Sequence, residues 1–384
     1  MSSKQSLARG ALVSLAALLS MSSGASGQVE ARESGGDSES IEIALLLDTS
    51  DSMESLIDAA RLGLWEVVNE LARLKPAPGL RVALIGYGGR TEGAENGWVR
   101  VRSPLTSDLD HVSEQLFELT TKGGTEYVGR ALATALRELD WSPPAPDNLR
   151  MIFLAGNESA DQDAETDLLA VGRAADSGDF RLYAIYFGQP GGADAESWRS
   201  LVMAAHGQLA TLDVSATKGH LGTPFDSEMV EMGRKLNATY LPWGTAGKAG
   251  LKAQAAQDKK VAALSQAAAA ARAETKAGAL YEPEWDLVDA VTAGRVELSQ
   301  VDRESLPRAL RGLPEAGLAA WVEQTRLERE ELRGRILALG EQRRQALDEQ
   351  ARARGAGGAA SFEAIVREAI RKELEQRGFR SESD

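Results

Sequence analysis

The 384-residue sequence has no cysteine, which excludes disulfides, thiolate metal centres and cysteine nucleophiles. Histidine is nearly absent: His111, His206 and His220 are the whole supply, too few for a multi-histidine metal centre. No apolar run reaches the ~18–20 residues of a membrane-spanning helix, so a multi-pass membrane protein is excluded. Positive charge is in short supply as well. Lys and Arg total 43 against 57 Asp and Glu, a net charge of −14, and so acidic a chain repels phosphate backbones. Nucleic acid is not an expected partner. There is also no G-x-S-x-G nucleophile elbow and no P-loop.

What remains is ordinary globular material, 43% apolar and 26% charged, long enough for two or three domains. Residues 1–27 read as an export signal. Lys4 and Arg9 form a positive start, Ala11 to Met21 an apolar stretch, and Ala25-Ser26-Gly27 a small-residue cleavage site. A retained N-terminal anchor is the rival reading. Losing Lys4 and Arg9 takes the charge from −14 to −16, and the mature protein is expected to be periplasmic or secreted. Residues 28–40 are a polar leader rich in Gly and Ser.

From 41 to 213 apolar strands alternate with amphipathic helices. Strands are expected at 41–47, 81–87, 98–101, 151–154, 182–187 and 208–212. Helices are expected at 56–74, 109–119, 126–139, 168–175 and 196–205. The alternation predicts an α/β fold, a Rossmann-like open and mainly parallel sheet with helices on both faces. Ligands of such sheets sit at the carboxyl ends of the central strands. Residues 214–247 read as a connecting segment and 248–384 as an α-helical C-terminal extension. Within that extension 248–277 is Ala-rich, 313–353 has the composition of one long helix, and Ser361 caps a last helix from Phe362. The long helix offers either a coiled-coil seam for a homodimer or a surface that packs back on its own domain.

The chemistry concentrates after the first strand, in Asp48-Thr49-Ser50-Asp51-Ser52. This D-x-S-x-S pattern presents one carboxylate and two hydroxyls to one point, a partial cage of the oxygen type that hard divalent cations prefer. Some seventy residues later Lys122-Gly123-Gly124-Thr125 leads into a helix. Its two glycines allow close backbone approach, and the Thr125 hydroxyl can face the same point. The competing reading is that these Ser, Asp and Thr side chains merely cap helices.

The two motifs together resemble a von Willebrand factor A (VWA) domain with its metal-ion-dependent adhesion site, over residues 41–213. The resemblance implies that Asp48, Ser50, Ser52 and Thr125 bind Mg²⁺, or Mn²⁺ or Ca²⁺ in its place, and that an acidic group on a partner protein completes the octahedron. One position departs from the pattern. Where the family carries Asp-Gly at the end of its central strand, this chain reads Leu154-Ala155-Gly156-Asn157-Glu158-Ser159. Gly156 takes the aspartate's place, so metal should bind weakly unless Asn157, Glu158 or Glu126 reaches in. The runs AGNE, LNATYLPWG and EWDLVDA are similar to those of exported bacterial VWA proteins with a helical C-terminal extension.

The leading expectation is therefore a metal-assisted protein-binding module. The alternative is a metal-independent scaffold of the cell envelope acting through its C-terminal helices. An enzyme is not expected: a phosphohydrolase using Asp48 needs a second carboxylate two residues on, where Ser50 stands. A partner subunit of a cytoplasmic ATPase conflicts with the export signal. Glu158, Asp161, Asp163 and Glu165 read as a solvated acidic loop, and the tryptophans as packing anchors.

Overall fold

The computed structural model describes residues 40–212, 222–354 and 362–377. The export signal, most of the leader and Ser361 lie outside them. Six strands, β1 (Ser40–Asp48), β2 (Gly79–Tyr87), β3 (Val99–Thr106), β4 (Asn148–Gly156), β5 (Arg181–Phe187) and β6 (Gln208–Leu212), form one sheet in the order β3-β2-β1-β4-β5-β6. Only β3 runs antiparallel. β1 and β4 are buried along nearly their whole length, as continuous apolar runs covered on both faces must be. The exception in composition is Glu42, buried in β1 but neutralised by Arg81 and held by the Ser142 hydroxyl at 2.7 Å.

The connections carry α1 (Glu54–Ala72), α2 (Leu109–Glu118), α3 (Val128–Glu138), α4 (Leu168–Ser177) and α5 (Ala193–Ala204). Helices α3, α4 and α5 pack on one face of the sheet, with Trp198 fully buried among them. The chain departs from β1 toward β2 and β3 in one direction, and from β4 toward β5 and β6 in the other. The carboxyl ends of β1 and β4 therefore flank a topological switch point, where a crevice opens in such sheets.

The opposite face is shared. Its core joins α1 and α2 to residues of α7 (Gly247–Leu264), α8 (Gln266–Ala277) and α12 (Phe362–Arg377). Between these stand α6 (Asp226–Asn237), α9 (Leu287–Thr292), α10 (Arg308–Arg311) and the 40-residue α11 (Glu315–Arg354). Two expectations change. The Ala-rich stretch is two helices, because Ser265 adopts extended backbone and its hydroxyl caps α8 at the Ala268 N–H, 3.0 Å away. The segment read as connecting contains α6, with Asp226 and Glu228 in its first turn and Arg234 and Lys235 in its last, in accord with the helix dipole.

Helix α8 sits in the middle, against α1, α6, α7 and α11. Its alanines let neighbours come close: a Cβ at Gly233 of α6 would lie 2.7 Å from the Ala273 Cβ. Gly340 permits the same on α11, where a Cβ would fall 2.6 Å from the Glu274 carboxyl carbon. Long-range polar bonds fix the register. Asn69 of α1 donates to the Ala271 carbonyl at 2.9 Å and accepts from the Thr275 hydroxyl at 2.6 Å. Arg272, fully buried over the Trp65 ring, bonds Asp110 of α2 at 2.7 Å and also Asp258 of α7. The long helix packs back through α6, α8 and α9, and its Arg329 reaches Asp286 at 2.6 Å and Asp289 at 2.7 Å.

Candidate metal site

Asp48 ends β1 in register with Tyr87 at the end of β2, and Leu47 pairs with Ala155, one residue before Gly156. The switch point thus collects Asp48, Tyr87 and Gly156 at one sheet edge. Asp48 is wholly buried. Its Oδ1 accepts the Ser50 N–H at 2.7 Å, while Oδ2 has no hydrogen-bond partner. The Ser50 hydroxyl and the Asn157 side-chain oxygen are likewise buried without a partner. Ser52 is exposed, and its hydroxyl accepts from the Asn157 amide at 2.8 Å.

The second loop is held against the first by backbone bonds. Lys122 N–H donates to the Thr49 carbonyl at 3.1 Å, and the exposed Asp51 accepts the Gly123 N–H at 2.8 Å. A Cβ at Gly124 would meet the Gly88 carbonyl oxygen at 2.2 Å, so only glycine lets this loop touch the one that follows β2. Thr125 follows, half-buried, its hydroxyl making no hydrogen bond among the described residues. Glu126 is buried beyond it. Gly88 lies between the two carboxylates: a Cβ there would stand 2.9 Å from Asp48 Oδ1 and 3.1 Å from Glu126 Cγ.

Helix capping does not account for these side chains. Ser50 precedes a 3₁₀ turn without capping it, α1 starts after Met53, and α3 starts after Tyr127 rather than Thr125. The helix expected from 126 begins at Val128, leaving Thr125 and Glu126 in the loop.

The electrostatics are one-sided. Burial, reinforced by the Glu158 charge, pushes the Asp48 carboxyl up to about 7. Burial, then the charges of Asp48 and Glu158, pushes Glu126 to about 7 as well. Burial with the same two charges, Asp48 and Glu126, raises the Tyr87 phenol well above its ordinary value. Among the described residues no Lys or Arg pairs with Asp48, Glu126 or Glu158. Buried oxygens without partners mark a place where an ion or water belongs, and a donor set made wholly of oxygen fits a hard divalent cation. The residues present fit such an ion, which would offset the burial and the repulsion that together hold both carboxyls up.

Gly156 has a steric cause that its neighbours in sequence do not reveal. A Cβ at Gly156 would lie 2.4 Å from the Tyr87 hydroxyl, which donates to the Ala155 carbonyl at 2.8 Å. The phenol occupies the space an aspartate side chain would need. The acidic loop is also less uniform than expected. Asp163 is buried, gripped by Arg130 through two 2.8 Å bonds and by Thr166 at 2.6 Å, whereas Glu158 and Glu165 are exposed.

The model of the von Willebrand factor type A domain matches residues 42–213. This part of the chain is a VWA domain. Among solved structures, the VWA domain of SpRpn10 is similar at 14% identity and a TM-score of 0.35, over 48% of this chain and 100% of that one. Proximal thread matrix protein 1 from the mussel byssus is similar at 13% identity and a TM-score of 0.36. That match covers 47% of this chain and 43% of the mussel protein. A comparison with curated proteins finds no match. VWA domains commonly serve as protein-interaction modules, and no helix among the described residues is long and apolar enough to cross a membrane.

Proposed function

We propose that the chain is an exported binding module whose VWA domain uses a divalent cation, Mg²⁺ foremost, to engage an acidic group on a partner protein. Three buried oxygens without hydrogen-bond partners, on Asp48, Ser50 and Asn157, carry this reading. Asp48, Ser50, Ser52 and Thr125 would hold the ion, with Glu126 in the part of the missing aspartate. The ion would supply a fixed positive charge facing an acidic side chain, and the protein's own oxygens would hold it there. No chemical conversion is assigned to the site.

The test is the thermal midpoint of the full chain in Mg²⁺ or Mn²⁺ against EDTA, beside a Ser50→Ala, Ser52→Ala variant. An ion that binds only the folded state at ten times its Kd adds about 1.4 kcal/mol, a rise of roughly 2–4 °C, which the variant should lack. An unchanged midpoint at millimolar metal removes the proposal. It would favour the second reading, a metal-independent scaffold, for which the Tyr87 phenol in the aspartate's place is the supporting observation.

A further inference from the structure

A cavity of about 670 Å³ opens between the start of α2 (residues 106–110), the first turns of α7 and the segment 280–285. Its volume is that of a small-molecule site. Three features describe what would fill it. The residues of α7 and its N-cap that line it are Ala246, Ala249, Gly250 and Ala253, while Lys248 and Lys252 of the same helix do not line it. Gly250 lets the Trp285 indole lie against the helix, where a Cβ would stand 2.2 Å from the Trp285 Cδ1; the alanines leave room beside it, and the helix keeps its positive charge off the wall.

Two tryptophans, Trp243 and Trp285, supply aromatic surface. Trp285 is braced from behind by Tyr240, ring centroids 5.8 Å apart. The Trp243 indole N–H is buried and has no acceptor. The third feature is charge. No Lys or Arg lines the cavity, but four carboxylates do. Asp110 is already matched by Arg272 and by the Tyr281 hydroxyl. Asp108 caps the His111 N–H without an ion pair, and Glu282 and Glu284 are exposed with no charge partner. Three negative charges beside two indoles suit a cation with apolar surface, which aromatic faces and carboxylates attract together.

We infer that this cavity binds a small organic cation of the alkylammonium class. The site is separate from the VWA crevice and needs no metal.

Choline is the probe, titrated into the full chain at constant chloride with intrinsic tryptophan fluorescence as the signal. Its neutral isostere, 3,3-dimethylbutan-1-ol, is the control. The expected result is saturable choline binding, with the isostere at least ~10-fold weaker. Glu282→Gln with Glu284→Gln removes two exposed, unpaired charges and should weaken choline about 3- to 10-fold without moving the thermal midpoint. Ala249→Phe fills the cavity from an exposed helix position and should abolish binding, again at an unchanged midpoint. The inference is overturned by any of three results: no saturation up to 50 mM choline, equal binding of the isostere, or undiminished binding to a folded Ala249→Phe protein.

Discussion

Buried charge is handled in opposite ways at two places in this molecule. Beneath the sheet, each buried ion has its counter-ion. Arg272 lies between Asp110 and Asp258, Lys276 reaches Asp258 at 2.6 Å, and Arg343 joins Glu66 at 2.8 Å to Asp226 at 3.1 Å. At the carboxyl ends of β1 and β4, Asp48 and Glu126 are buried on either side of Gly88, and no Lys or Arg pairs with either among the described residues. Burying a charge is tolerable when it is paired and costly when it is not. The first region is therefore complete as a structure. The second leaves buried oxygens without partners, and that asymmetry separates a clamp from a candidate site.

The largest effect should come from unbalancing the clamp. Arg272→Met leaves the buried Asp110 without its counter-ion, while Asp258 keeps Lys276, and should cost about 3–5 kcal/mol in urea unfolding. Adding Asp110→Asn should return most of it. If the double variant is no better than the single one, packing over Trp65 rather than charge is what Arg272 contributes.

Gly156→Asp should destabilise by about 1–3 kcal/mol, because the new side chain meets the Tyr87 hydroxyl. Tyr87→Phe in the same chain should recover part of that loss and strengthen Mg²⁺ binding. A Gly156→Asp protein as stable as the parent would show that the phenol does not guard this position.

Acid probes the clamp. Lys276 and Arg272 hold the Asp258 carboxyl down to about 2 against its burial. A depressed carboxylate stabilises the fold above its unfolded value near 4 and loses that contribution as pH falls toward 2. Stability should drop by about 2 kcal/mol across that window, and Asp258→Asn should flatten the drop. The smallest effect has the opposite sign. Asp48→Asn removes one unmatched charge while keeping an acceptor for the Ser50 N–H, so in EDTA it should stabilise by about 1 kcal/mol. It should also erase the Mg²⁺ response. Destabilisation in EDTA would break the contrast between the two regions.

The strands could be read from the sequence because burial on both faces leaves a plain signature, as in 41–47, and the D-x-S-x-S loop because three oxygen donors at alternate positions have few other uses. Ser265 was legible in principle: a serine ahead of an alanine run is an ordinary N-cap, obscured by strong helix propensity on both sides. So was α6, whose acidic start and basic end frame Met229, Met232 and Leu236. The reason for Gly156 was not legible. Tyr87 stands sixty-nine residues earlier and becomes its neighbour only through the strand order. Nor could spacing show that Asp163 is buried, since the decisive partner, Arg130, lies on α3, more than thirty residues earlier.

The position of α12 bears on how the protein is made. Phe362, Val366, Ile370 and Leu374 belong to the same core as Ile41 and Ile43 of the first strand, and Glu373 takes the Tyr183 hydroxyl at 2.6 Å. The sheet's first strand is therefore covered by a helix more than three hundred residues later in the chain. Contacts of such separation form slowly, and a ribosome delivers α12 long after β1. Until then the nascent VWA sheet has an uncovered apolar strip, and the family boundary at residue 213 is not a place where synthesis or a truncated clone can stop with its core closed.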